Sequence, residues 1–143
     1  MAEFQTKGLE ELEEAFLRQE ETAIECVEEM LVAGAEILVE AQRAEAASMG
    51  INETSGFIQS IKPTSIKKSG TESSIEVYPQ GNAPHGNDIK GKKGKVRYAT
   101  IGFVNEYGTS RKAARPYMTV ANEKAEERIS QKQFEIWESK NNG

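Results

Sequence analysis

An α+β fold is predicted for this chain of 143 residues by three observations. The first third is rich in Glu, Ala and Leu, lacks proline and places apolar residues at helical spacing. The middle carries short β-branched segments broken by glycine and proline, and the last part is an amphipathic segment opened by a proline. The expected architecture is a long N-terminal helix, a twisted antiparallel sheet of about three to four strands, and a C-terminal helix packed on the sheet. The length suits a single domain, 1–143, able to bury roughly two-thirds of its unfolded surface. Residues 1–8 and 139–143 are expected to fray, and 79–95 to form a flexible loop.

Residues 9–47 are read as one long helix or two nearly collinear ones. Ile24, Val27, Leu31, Gly34, Leu38 and Ala41 recur at spacings of three and four, Leu9, Leu12 and Phe16 extend the stripe backwards, and Met30 and Ile37 widen it. An unbroken helix of that length would span roughly 58 Å, against a radius of gyration of about 14–15 Å for a compact chain of this size. Either its N-terminal part folds back or frays, or a neighbouring subunit finishes the stripe, which makes Leu31 and Leu38 candidate contact residues. Gly34 costs about 1 kcal/mol relative to alanine in an exposed helix, so a close-packed element is expected there.

Met49 and Gly50 close this helix, and residues 52–55 offer caps for a short second helix carrying Phe57, Ile58 and Ile61, ended by Pro63. Strands follow at 64–67 and 74–78 around a hairpin turn at Ser69, Gly70 and Thr71. Residues 79–95 hold four glycines, two prolines and four lysines, with Ala83 and Ile89 almost alone as apolar residues, and read as a long loop. A strand rich in β-branched and aromatic types is expected at 96–105. Pro116 suits the first turn of a final helix running to about Trp137, with Met118, Ala121, Ala125, Ile129 and Ile136 as its apolar face.

Charge is distributed unevenly. Residues 1–53 carry 14 acidic and 3 basic groups, residues 54–97 carry 3 and 8, and residues 98–143 carry 6 and 7, within a formal net charge of -5. An acidic first half beside a basic middle suits contacts between subunits, or a field felt by a passing polyanion, as well as plain solvated faces. A mean hydropathy of -0.62 places the chain among polar globular proteins and outside the disordered class. Cys26 is the only cysteine, which excludes an intramolecular disulfide and fits a reducing cytosol. The opening residues lack the basic-then-apolar order of a signal peptide, and no run approaches the roughly 20 apolar residues of a membrane span.

Catalytic and cofactor chemistry is not expected. Residues 86–93 have the glycine and lysine spacing of a phosphate-binding loop, but Lys93 stands where a hydroxyl should hold magnesium, and neither the preceding strand nor the following helix is indicated. His85 has no neighbouring Cys or His with which to hold a metal. Cys26 reads as a small helix residue, and the many glutamates as solvating groups. Lys90, Lys92, Lys93, Lys95 and Arg97 could neutralise phosphates, so a nucleic-acid-associated binding protein is the alternative function, without sequence specificity because no DNA-reading element is evident.

Two segments carry a resemblance. The first is Thr54-Ser55-Gly56-Phe57-Ile58-Gln59-Ser60-Ile61, similar to a Thr-Gly-x-Leu-x-x-Ser-Ile pattern. The second runs from Tyr98-Ala99 through Phe103-Val104-Asn105-Glu106-Tyr107-Gly108-Thr109-Ser110 to Ala114-Arg115-Pro116-Tyr117-Met118, and is similar to Tyr-Ala-x-x-Val-Glu-Phe-Gly-Thr followed by Ala-Arg-Pro-Phe. Both resemble the tail-completion or head-tail joining proteins of lambda-like long-tailed phages and prophages. Element order agrees over nearly the whole chain; Ser55 for threonine, Phe57-Ile58 for a single leucine and a longer 79–95 loop depart from the pattern. The resemblance implies a non-enzymatic virion subunit that assembles in the host cytoplasm and resides in the neck or upper tail. It further implies self-association into a ring, hexameric in the family, and contacts with other neck or tail proteins, while the basic residues of 90–97 suit a contact with passing DNA without sequence specificity. Glu106, Tyr107, Gly108, Arg111, Lys112 and Arg115 are the candidate assembly surface, where Glu106 could pair with one of the cations. The same residues read equally as a strand-turn-helix junction.

Overall fold

The computed structural model describes residues 2–51, 56–83 and 96–142. Helix α1 (Ala2–Ser48) is followed by the short α2 (Phe57–Ser60), then strands β1 (Ile61–Pro63), β2 (Lys67–Ser69), β3 (Glu72–Ser74), β4 (Val77–Pro79), β5 (Asn82–Ala83) and β6 (Val96–Arg97). Helices α3 (Tyr98–Tyr107) and α4 (Tyr117–Asn142) complete the chain. The fold is α+β, with the long N-terminal helix, antiparallel pairing and C-terminal helix that the sequence predicts. No helix of the described residues is long and apolar enough to cross a membrane.

Helix α1 is 47 residues long, about 70 Å, and does not fold back on itself. It stops in a Schellman turn, because Gly50 adopts φ 72°, a conformation costly for residues with a Cβ. The Gly50 amide donates to Ala47 O and the Ile51 amide to Ala46 O, and Ile51 and Ala46 are both buried. Helix α4 runs antiparallel along α1, from Lys124 beside Glu45, through Arg128 beside Glu40, to Lys140 beside Glu29. At 26 residues, about 39 Å, it leaves on the order of 25–30 Å of α1 running past its end. The close-packed element expected at Gly34 is α4: a Cβ there would lie 3.2 Å from Ile129 Cγ2 and 2.9 Å from Gln133 Nε2.

The strands form three two-stranded antiparallel ladders, β1 with β4, β2 with β3 and β5 with β6. The first two make one interrupted hairpin. Ile61 faces Pro79 and Pro63 faces Val77 at its base, Lys67 faces Ser74 near its tip, and the Thr64 amide donates to Glu76 O between them. The strands expected at 64–67 and 74–78 are therefore displaced, and Pro63 lies in β1 instead of merely ending a helix. Proline is tolerated there because β1 has only one partner strand. The C-terminal helix makes its main contact with α1.

The largest departure is at 96–105, where only Val96 and Arg97 are extended and α3 begins at Tyr98. Tyr98, Gly102, Asn105 and Glu106 are buried, a spacing of four, three and one that only a helix brings to one side. Burial on that side overrides the β-propensity of the individual residues. On α1, Ile24 and Val27 of the expected stripe are exposed, whereas Cys26, Ala35, Gln42 and Ala46 are buried.

The core lies where α1, α2, β1, β4, α3 and the start of α4 converge. Phe57 is at its centre, with its ring centroid 5.9 Å from that of Tyr117 in an edge-on contact and 6.3 Å from that of Tyr98. Ile51, Ile61, Ala46 and Ala83 close around these rings. Phe57→Ala should cost about 3–5 kcal/mol, read as a lowered urea midpoint with little change in the slope. A loss under about 1 kcal/mol would show that the rings do not depend on Phe57.

Candidate functional site

The segment from Asn105 to Thr119 turns the chain from α3 into α4, and its polar groups are committed to that turn. Glu106 is only 6% exposed. Its Oε2 accepts from the Met118 amide at 2.8 Å, and Oε1 accepts from the Thr119 amide at 3.0 Å and from the Thr119 hydroxyl at 2.6 Å. Pro116 O accepts from the Val120 amide, so the second and third amides of α4 are the ones Glu106 satisfies. A carboxylate from another helix does what an N-cap side chain does, and does so at the positive end of the helix dipole.

Arg115 serves the end of α1, which lies beside the start of α4. Its Nη1 donates to Met49 O and Gly50 O, both at 3.2 Å, where α1 terminates, and its backbone amide donates to Asn105 O. Gly108, with φ 75°, ends α3; a Cβ on it would come within 2.8 Å of Ala114 N and Lys112 O. Thr109 then fixes the turn, its hydroxyl accepting from the Arg111 and Lys112 amides at 3.2 and 3.1 Å.

The candidate residues thus divide. Glu106, Gly108 and Arg115 are built into the junction, while Tyr107, 70% exposed, and Arg111 face solvent and Lys112 is half-buried. Leu31 is half-buried on α1, and Leu38, also half-buried, packs on the core. Arg97 is exposed on β6. Lys90, Lys92, Lys93, Lys95 and His85 lie outside the described residues. Among the described residues, no three His, Cys, Asp or Glu side chains gather as metal ligands would.

Phe103 was not singled out by the sequence reading, which named only its neighbour Tyr107, although an aromatic pair four apart is a legible helical signal. Their rings lie 4.8 Å apart on the outer face of α3, and Phe103 is 62% exposed. They border a groove of about 340 Å³ that Tyr78, Pro79, Gly102 and Tyr117 also line. A second groove, about 470 Å³, opens between α1 and α4, with Arg18, Trp137 and Lys140 among its walls.

Tyr117 Oη is buried and finds no hydrogen-bond partner among the described residues. Burial, reinforced by the nearby Glu106 carboxylate, pushes its phenol pKa up. Glu106→Ala should cost about 1–3 kcal/mol, since it strands two amides and a hydroxyl, and should speed hydrogen exchange at Met118 and Thr119 first. Tyr117→Phe should be neutral or stabilising, because it removes a desolvated group that gains no bond. Unchanged exchange in the first variant, or a clear loss of stability in the second, would contradict these assignments.

Comparison with known protein families, with curated proteins and with solved structures found no match to this chain.

Proposed function

We propose that the chain is a structural subunit of a phage or prophage virion, of the tail-completion or head-tail joining kind, that assembles as a ring at the neck or the top of the tail. The observation that carries this reading is the meeting of the two segments on which the resemblance rests. Phe57 and Ile61 from the first pack with Tyr98 and Tyr117 from the second in one core, and Glu106, Gly108 and Arg115 hold the helix ends around it. A pattern whose residues interlock in space is a signature of a fold, which matching composition alone would not produce.

The same division assigns the residues left for assembly. Tyr107 and Arg111 project from a turn whose backbone is held, beside the exposed ring of Phe103 and next to Lys112. Aromatic and arginine side chains on a rigid frame are the residues that most often anchor an interface. The acidic first third supplies the opposite charge on a neighbouring subunit.

The test is a phage producing the Arg111→Glu variant, with Lys112 retained because it is half-buried and Arg115 because it holds the end of α1. The isolated subunit should keep its melting temperature, since exposed charges contribute about 0–1 kcal/mol each to folding. Filled heads and finished tails should accumulate unjoined, and assembly of the parent subunit should weaken as salt shortens the Debye length from about 8 Å. Infectious particles at the parental titre would overturn the reading.

A further inference from the structure

Along α1, Leu17, Ile24, Leu31 and Leu38 recur every seven residues, with Val27 between, and so lie on one side of the helix. The covering of that side changes along its length. Leu38 packs on the core and Leu31 is half-buried, while Val27, Ile24 and Leu17 are 42%, 47% and 58% exposed. The β2–β3 end of the hairpin reaches only as far as Glu28, which Lys68 Nζ meets at 2.8 Å. Beyond that point nothing in the described residues covers the stripe.

The flanks of the stripe say what covers it. Glu20 lies between Leu17 and Ile24 on the same side, Glu21 and Glu28 border it, and Glu20 and Glu21 are exposed. A second copy of α1 laid along this face would bring carboxylates against carboxylates, which disfavours pairing in either direction. We infer that the Leu17–Ile24–Val27 face of α1 docks a cationic amphipathic helix of another protein, its apolar side on the stripe and its lysines or arginines against Glu20, Glu21 and Glu28. The Lys68–Glu28 pair is the same contact made once within the chain. This inference does not rest on the proposed function: a phage subunit and a protein of any other role would show it alike.

The experiment titrates the full-length protein into a fluorescein-labelled synthetic helix with leucine at the a and d positions of its heptads and lysine at e and g, and reads anisotropy. Two control peptides are used, one of identical composition with the leucines scattered off one face, and one with glutamate in place of lysine. The first peptide should bind at least about tenfold more tightly than either control. Ile24→Asp should weaken its binding by a similar factor without changing the circular dichroism, because Ile24 is exposed in the free chain, and Glu20→Lys with Glu21→Lys should do the same. Equal binding of the scattered peptide would overturn the inference by reducing it to nonspecific charge attraction. Indifference to Ile24→Asp would overturn it too, as would sedimentation showing a dimer of this chain that Ile24→Asp dissociates.

Discussion

Burying the Glu106 carboxylate is possible only because the first turn of α4 surrounds it with donors, and much of the architecture follows from that exchange. A carboxylate taken out of water without partners would be strongly destabilising, while the first amides of a helix are themselves unpaired. Bringing the two deficits together removes both. A few residues away, the carbonyls left over at the end of α1 meet the Arg115 guanidinium. An anion sits at a helix N-terminus and a cation at a helix C-terminus, so both dipoles are complemented within one short segment. That segment can serve both only if α3 stops at Tyr107, which is what Gly108 enforces.

The α1–α4 pair is held differently. Where the helices cross near Gly34, the absence of a side chain lets Ile129 and Gln133 approach the backbone, and Gln133 Nε2 donates to Met30 O. Elsewhere the contact mixes small residues such as Ala121 and Ala125 with polar pairs, Gln42 to Asn122 and Lys124 to Glu45. Such an interface buries little apolar area per residue. Its stability comes from its length and from the aromatic core at its base, where Tyr117 ties the first turn of α4 to Phe57.

Reading the sequence recovered the elements whose signals are local. The uninterrupted run without proline fixed α1, the glycine after Met49 marked its end, and Gly34 within the stripe called for the close neighbour that α4 provides. The C-terminal apolar positions were also legible, since Ala121 and Ala125 are buried and Ile129 and Ile136 half-buried. Residues 96–105 were misread because β-branched and aromatic types favour a strand individually, while the burial of Tyr98, Gly102 and Asn105 is a property of the tertiary structure. The stripe on α1 was misassigned for a related reason. Period alone gives a face, and which stretch of that face is covered depends on how far the hairpin and α4 reach along it. The roles of Glu106 and Arg115 were out of reach, because a cap supplied from another helix leaves no spacing pattern in the sequence.

Helix α3 shows how one short element separates the work of folding from whatever its surface does. Its inner side, Tyr98, Gly102, Asn105 and Glu106, is spent on the core and on the cap of α4. Gly102 is required there by crowding, since a Cβ would fall 2.7 Å from Tyr117 Oη and 2.9 Å from Pro79 Cγ. Phe103 and Tyr107 on the outer side are mostly exposed and touch each other more than the core. Their apolar area stays in water, so the fold gains little from it, and two polar residues would serve the helix as well. The same holds for Leu17, Ile24 and Val27 on α1. Large apolar side chains held on rigid helices, without a share in the core, are the kind of surface from which interfaces are built.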